Sequence, residues 1–348
     1  MNSSKSSKHN VQNTTYEAAS SKLSAVKLGY YDDPFLKHFV KRIETRSPLI
    51  NRGYYARVAA LRLYIELFFK SIDNKQSIQI VNIGSGLDTT FFWINQKYQD
   101  VKYYEIDFYD LLKEKTDIIK KYTEMKNFLK YEKDNEEKDE DLINCLNYKM
   151  VPLDLNDSSS FEKILLSYNF DFNKPTIFIC ECVLIYLETE SSDNLIKKLS
   201  ELMKNTSCII VYEQVTYDDK YLSFMYNFMF ILYYIIYIYI SFGKVMIDNF
   251  SHRGINLKSI YKYYNLQTQL ERYKSLGWVN VYINDMNEIY DYHINMEEKK
   301  KIELIEMFDE FEEWRLLQNH YFILVAFNCY NNINLEELKQ FLTCQKEK

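Results

Sequence analysis

Gln79-Ile80-Val81-Asn82-Ile83-Gly84-Ser85-Gly86-Leu87-Asp88-Thr89-Thr90-Phe91 is the stretch on which the fold of this 348-residue chain turns. A run short enough for a strand ends in Gly-x-Gly and passes into a helical pattern. Such a turn lets backbone N–H groups approach a ligand at the carboxyl end of a parallel strand. Alone it is a weak signal, since any tight strand-to-helix turn can use two glycines. A second run, Val101-Lys102-Tyr103-Tyr104-Glu105-Ile106, ends on Asp107, 21 residues after Gly86. An acid at that place can accept hydrogen bonds from both ribose hydroxyls of a nucleoside.

Further runs extend the pattern: Lys149-Met150-Val151, Thr176 to Cys180, Cys208 to Tyr212, Val279 to Ile283 and Tyr321 to Phe327. Helix-period segments such as Asn194 to Met203 and Glu298 to Leu317 separate most of them. Strands alternating with helices predict right-handed βαβ units, hence an α/β fold with a mostly parallel sheet covered on both faces. Residues 21–70 read as helical, with Tyr54 to Lys70 the longest helix.

Composition sharpens the weight of the glycines. The chain has only 7 Gly and 4 Pro against 32 Tyr and 22 Phe, which excludes a collagen-like chain and a β fold needing glycine at every turn. Where glycine is this scarce, each one kept marks a backbone position that a Cβ would spoil. The net charge is −6 with dispersed Lys and Arg, so no electrostatic footprint for nucleic acid is visible. The cysteines include no CxxC pair, and with five His no zinc spacing appears. Reduced thiols and a cytoplasmic location are expected, with no metal.

The missing third glycine narrows the nucleoside. A dinucleotide fingerprint needs glycine where Thr89 stands, and no triphosphate-binding loop is present. A Gly-x-Gly turn with a ribose acid and no phosphate machinery suits S-adenosylmethionine, whose amino-acid end calls for acids at its ammonium and a cation at its carboxylate.

The chain resembles the leucine carboxyl methyltransferases over roughly residues 11–327. Val11-Gln12-Asn13-Thr14, Ser21 to Val26 and Asp33-Pro34-Phe35 match the opening of that family. Pro48-Leu49-Ile50-Asn51-Arg52-Gly53-Tyr54-Tyr55-Ala56-Arg57-Val58 is its most specific block. Asp154-Leu155, Glu181-Cys182-Val183-Leu184-Ile185-Tyr186, Tyr212-Glu213-Gln214-Val215 and His320-Tyr321 follow in the family's order. The resemblance implies a class I S-adenosylmethionine-dependent methyltransferase, with a seven-stranded Rossmann-like sheet, the last strand antiparallel, an N-terminal helical cap and inserted helices near the substrate cleft. It further implies that the enzyme esterifies the C-terminal leucine of the protein phosphatase 2A catalytic subunit. By the same resemblance Lys22 and Arg57 hold the methionine carboxylate of the cofactor, Gly84 and Gly86 pass beneath it, and Glu181 accepts from its ammonium. Asp107 binds the ribose, and Asp154 with Leu155 meets the adenine.

Residue chemistry ranks these roles. Arg57 in an otherwise apolar helical run needs a partner, and a carboxylate serves. Glu181 ends an apolar strand, where a buried acid must be paired. Lys22, near a terminus, reads equally as a solvated lysine, Asp154 as the cap of a helix starting near residue 158, and His320 as a structural core histidine. An α-carboxylate with a pKa near ~3.5 arrives ionised, so the enzyme needs alignment and desolvation rather than a base. Arg57, Arg52, Tyr54 and Tyr186 are the candidates for holding it, with Arg57 and Tyr186 as the catalytic pair.

Residues 221–243 carry no charged side chain and are long enough to span a bilayer. A single crossing would place the strands at 279–283 and 321–327 opposite the others, so an inserted lid helix is favoured over membrane contact. The organisation expected is a disordered tail at 1–20, one methyltransferase domain over 21–330 and a tail at 331–348. Within the domain, 21–75 is helical, 76–217 and 266–328 form the sheet core, and 218–265 is the apolar lid. Rival readings are the related tRNA wybutosine branch, whose large Kelch-repeat extension does not follow here, a small-molecule carboxyl methyltransferase, and a non-catalytic membrane-associated binding module.

Overall fold

The computed structural model describes residues 2–72, 76–131, 141–216 and 242–328, with side chains from residue 10 onward. Seven strands form one sheet: β1 (Ile78–Ile83), β2 (Val101–Asp107), β3 (Tyr148–Pro152), β4 (Thr176–Glu181), β5 (Ser207–Gln214), β6 (Asn280–Asp285) and β7 (Tyr321–Asn328). Their order is β3-β2-β1-β4-β5-β7-β6. The first five are parallel, and β7 runs antiparallel to both of its neighbours. The chain winds outward from β1 in one direction and then restarts at β4 in the other. The carboxyl ends of β1 and β4 therefore flank a topological switch point, where open α/β sheets bind ligands.

Alternation along the strands separates two cores. Ile80, Tyr103, Met150, Ile177, Ile210 and Val325 point to one face. There they meet helices α1 (Asn2–Leu28), α2 (Pro48–Ser71), α3 (Thr90–Lys97) and α4 (Tyr109–Lys121). Val81, Ile83, Ile106, Phe178, Ile209 and Leu324 point to the other, against α6 (Phe161–Ser167), α7 (Thr189–Leu202) and the helix Leu266–Ser275; the one-turn helix α5 (Thr123–Lys126) follows α4. Burial on both faces is why the strands read as apolar runs rather than alternating ones.

Two sequence expectations change. Residues 1–20 were expected to be a disordered tail, yet α1 begins at Asn2. Its packed face is made of small and polar side chains, with Ala19, Ser21 and Ser24 buried alongside Leu23, so no apolar period announces it. The Tyr16 hydroxyl donates to Glu114 on α4. The single helical period expected from Glu298 to Leu317 divides into Met296–Glu303 and Phe311–Asn319. The break lets Glu306 accept from Tyr30 Oη at 2.9 Å and Asn51 Nδ2 at 3.0 Å, tying this segment to the N-terminal helices. Most of the apolar 221–243 run, the charged stretch 132–140 and the tail 331–348 lie outside the described residues. No helix among the described residues is long and apolar enough to cross a membrane.

Candidate functional site

A cavity of about 590 Å³ opens at the switch point. Its floor is the turn after β1. Gly84 and Gly86 have φ of +67° and +51°, a region that side chains with a Cβ rarely adopt. A Cβ on Gly84 would stand 2.5 Å from Val183 Cγ2, and one on Gly86 would stand 1.9 Å from Thr15 Oγ1. The glycines thus let β1 close against the loop after β4 and against α1. Gly86 N donates to Asp107 Oδ2 at 2.8 Å, and Phe108 N donates to Asp107 Oδ1 at 2.7 Å. Burial raises the Asp107 carboxyl, and these two N–H groups oppose that shift. Each oxygen keeps lone-pair capacity for a hydroxyl donor, and Asp107 lines the cavity whereas Gly86 only clamps it.

Beside the turn sits a compact charge cluster. Glu181, at the end of β4, accepts from Lys22 of α1 at 2.9 Å and from Nε of Arg57 of α2. Lys22 Nζ also lies 3.5 Å from Asp88. Burial works against the charged Glu181, but the Arg57 and Lys22 cations outweigh it and bring the carboxyl down to about 2. The Arg57 guanidinium stacks over the ring of Tyr212 at 4.6 Å and near that of Tyr54 at 5.5 Å. Two cations and two carboxylates in one wall offer complementary partners for a zwitterionic amino-acid group.

The rest of the cavity divides by chemistry. Phe108, Leu111, Leu153 and Leu155 give an apolar lining on the Asp107 side, while Tyr54, Cys182, Tyr186, Gln214 and Tyr321 line the Arg57 side. Cys182 holds φ +56°, an uncommon conformation for a residue with a side chain and one that recurs at functional sites. Described residues of the insert reach this end: Met246, Leu257 and Ile260 cluster with Ile185, and Phe242 and Phe250 pack on that group. Beneath the turn, Lys115 and Glu105 form a fully buried pair at 2.7 Å, and Lys115 Nζ donates to the Asp88 carbonyl at 2.6 Å.

Of the residues singled out from sequence, Lys22, Tyr54, Arg57, Gly84, Asp107, Leu155, Glu181 and Tyr186 all line this one cavity. Arg52 does not. It is 4% exposed, stacks over Phe308 at 3.8 Å and meets the Tyr30 hydroxyl, so the partners of this arginine lie in the core. Asp154 is not among the residues lining the cavity, though Leu153, Leu155 and Asn156 beside it are; its Oδ1 accepts from the backbone and side-chain nitrogens of Asn156, both at 3.1 Å. At the helix start near residue 158, Asp157 accepts from Ser159 N at 3.1 Å. His320 is fully buried, with Nδ1 2.8 Å from the Leu316 carbonyl. Sequence reasoning gave no role to Asp88, Thr15 or Gln214. Asp88 follows the Gly84-Ser85-Gly86 turn and Gln214 lies in Tyr212-Glu213-Gln214-Val215, and those positions are the available signal.

The donor set fits S-adenosylmethionine without phosphate contacts: an acid ending β2 that can accept from ribose hydroxyls, an apolar lining that suits an adenine, and paired cations and acids that suit an amino-acid end. Sheet order and site together define a class I methyltransferase with S-adenosylmethionine as its methyl donor. The sequence profile of the leucine carboxyl methyltransferases matches residues 10–200. Leucine carboxyl methyltransferase 1 homolog of Arabidopsis thaliana is 33% identical over 329 residues, covering 94% of this chain and 92% of the plant protein. Leucine carboxyl methyltransferase 1 of Schizosaccharomyces pombe is 32% identical, covering 94% and 97%. tRNA wybutosine-synthesizing protein 4 of Homo sapiens is 31% identical over 91% of this chain but only 44% of that protein. The chain belongs to the leucine carboxyl methyltransferase family.

Proposed function

We propose that the chain methylates the C-terminal leucine α-carboxylate of a protein phosphatase 2A catalytic subunit, forming a methyl ester. The observation that carries this reading is the position of Arg57. It touches Glu181 on the cofactor side and faces Tyr54 and Tyr212 on the side lined by Tyr186. A guanidinium there can hold a carboxylate through its remaining donors. Bound cofactor supplies an electrophilic methyl group. Lys22 and Arg57 hold its carboxylate, Glu181 its ammonium and Asp107 its ribose, while Leu155 packs on the adenine.

The substrate carboxylate arrives ionised, so no side chain has to remove a proton. What the site provides is orientation and exclusion of water. Burial raises the Tyr186 phenol well above its ordinary value, so it stays protonated and can donate to the carboxylate at every working pH. Arg57 and Tyr186 thereby orient the nucleophile, and Tyr54 walls the same end.

The test is transfer of labelled methyl from S-adenosylmethionine to the phosphatase, with and without its terminal leucine. Base-labile label on the intact protein alone is expected. Base-stable label, or equal transfer to the truncated protein, would reject the C-terminal ester. The similarity to the wybutosine-synthesizing protein supports a second reading, and label appearing in tRNA instead would favour it.

A further inference from the structure

Glu213 sits on β5 immediately after Tyr212 and points to the opposite face of the sheet from the Arg57 stack. It is wholly buried and is not among the residues lining the cavity. Its Oε1 accepts two backbone N–H groups of the loop after β4, from Val183 at 3.2 Å and from Ile185 at 2.9 Å. This loop begins at the left-handed Cys182, presents Tyr186 and Leu187 to the cavity, and sets Val183 where it blocks any Cβ on Gly84.

We propose that Glu213 is a positioning residue for methyl transfer, its carboxylate clamping the 182–186 loop so that Tyr186 faces the substrate end and Val183 supports the Gly84 turn. The inference rests on the role given to Tyr186 above. Two donors converging on one carboxylate oxygen fix the loop more tightly than backbone contacts alone, because hydrogen bonds to an ionised acceptor are roughly twice as strong as neutral ones. Cys182 N donates to the Tyr212 carbonyl at 2.8 Å, so β5 anchors the loop at both ends.

The groups facing Glu213 are Arg272 and Tyr273 from the helix Leu266–Ser275, Cys180 on β4, and Cys182 and Tyr186 of the loop itself. Burial pushes the Glu213 carboxyl up to about 7, against Arg272 and the loop N–H groups. The clamp is therefore strongest above that pH and weakens as the carboxylate is protonated below it.

The test compares wild type, Glu213→Gln, Glu213→Ala and Tyr186→Phe in the full chain. Wild-type kcat/KM should rise about fivefold through pH 7, the ratio expected for losing one charge-assisted component of the clamp. Glu213→Gln keeps an acceptor and removes a buried charge, so it should fold and lose that inflection. Glu213→Ala should lower kcat at least tenfold and speed amide exchange at Val183 and Ile185. Adding it to Tyr186→Phe should lower kcat little further. An inflection retained in Glu213→Gln, wild-type kcat in Glu213→Ala, or unchanged exchange at Val183 and Ile185 would overturn the proposal. If Tyr186→Phe alone keeps wild-type kcat, the role of Tyr186 fails, while the exchange measurement still decides whether Glu213 holds the loop.

Discussion

Arg57 and Glu181 lie 124 residues apart and meet in one buried ion pair. Both were legible because each is a charge in an apolar run, and a buried charge demands a partner. Arg52 shows the reach of that logic, since it stacks over the ring of Phe308 far along the chain; a linear sequence states the need for a partner but not which one. Asp154 makes a local contact that sequence did not suggest, since an aspartate can turn back onto the residue two ahead in an Asx turn. Breaking a buried hydrogen-bonded charge pair costs about 2–5 kcal/mol. Arg57→Ala should therefore lower methyl transfer by roughly 30- to 5,000-fold and weaken cofactor binding measured by calorimetry. Unchanged cofactor affinity would mean that Arg57 does not hold the cofactor's carboxylate. The pair also sets an acid limit. Glu181 has a depressed carboxyl, so its stabilisation is complete above the unfolded value near 4.5 and is lost as pH falls from there through about 2. Acid unfolding of Arg57→Ala should accordingly begin at higher pH than that of wild type, and coincident acid transitions would contradict the pairing.

At the scale of elements, the strands were readable and α1 was not. The strands are apolar on both faces, whereas α1 buries mainly alanine and serine beside Leu23, which carry no hydropathy period. Its contribution is close approach: Thr15 Oγ1 accepts from Leu87 N at 3.3 Å and occupies the space that a side chain on Gly86 would need. Gly86→Ala should thus lose about 1 kcal/mol or more from the left-handed backbone, plus the clash with Thr15. Denaturant unfolding of Gly86→Ala/Thr15→Ala should recover the clash but not the backbone part. Full recovery would show that φ at this position relaxes freely. The Lys115–Glu105 pair, wholly buried between α4 and β2, makes a second prediction. Lys115→Met strands an unpaired carboxylate and should cost about 3–5 kcal/mol, whereas Lys115→Met/Glu105→Leu should restore much of that loss. A double variant no more stable than the single would mean that the Lys115 contact with the Asp88 carbonyl matters more than charge pairing.

For the whole molecule, the strand order brings distant motifs together. Because β1 and β4 are neighbours with opposite winding on either side, the Gly84 turn and Glu181 share one crevice. The α/β class and this crevice followed from the Gly-x-Gly strand and the acid ending β2, while the closure over it was expected as an N-terminal cap and an apolar lid, without the contacts that join the two. That closure is made by α1 and the described part of the insert. Asn10 Nδ2 donates to the Gly254 carbonyl at 3.4 Å, Arg253 pairs with Glu17, and Phe250, Arg253 and Lys258 line the cavity with Glu17. Each contact is weak alone, since exposed ion pairs contribute about 0–1 kcal/mol, so a ligand touching both sides should reinforce them. Saturating S-adenosylhomocysteine at about 100 times its Kd adds about 2.7 kcal/mol of stability, or about 5 °C in Tm for a domain of this size. Hydrogen exchange should then slow in residues 10–23 and 250–258 as well as at the β1 turn, and stay unchanged in β6 at the far edge of the sheet. Arg57→Ala should blunt both effects. Protection confined to the β1 turn and β2 would mean that α1 only borders the crevice, whereas coupled protection of α1 and the insert would make it one side of a closing cleft.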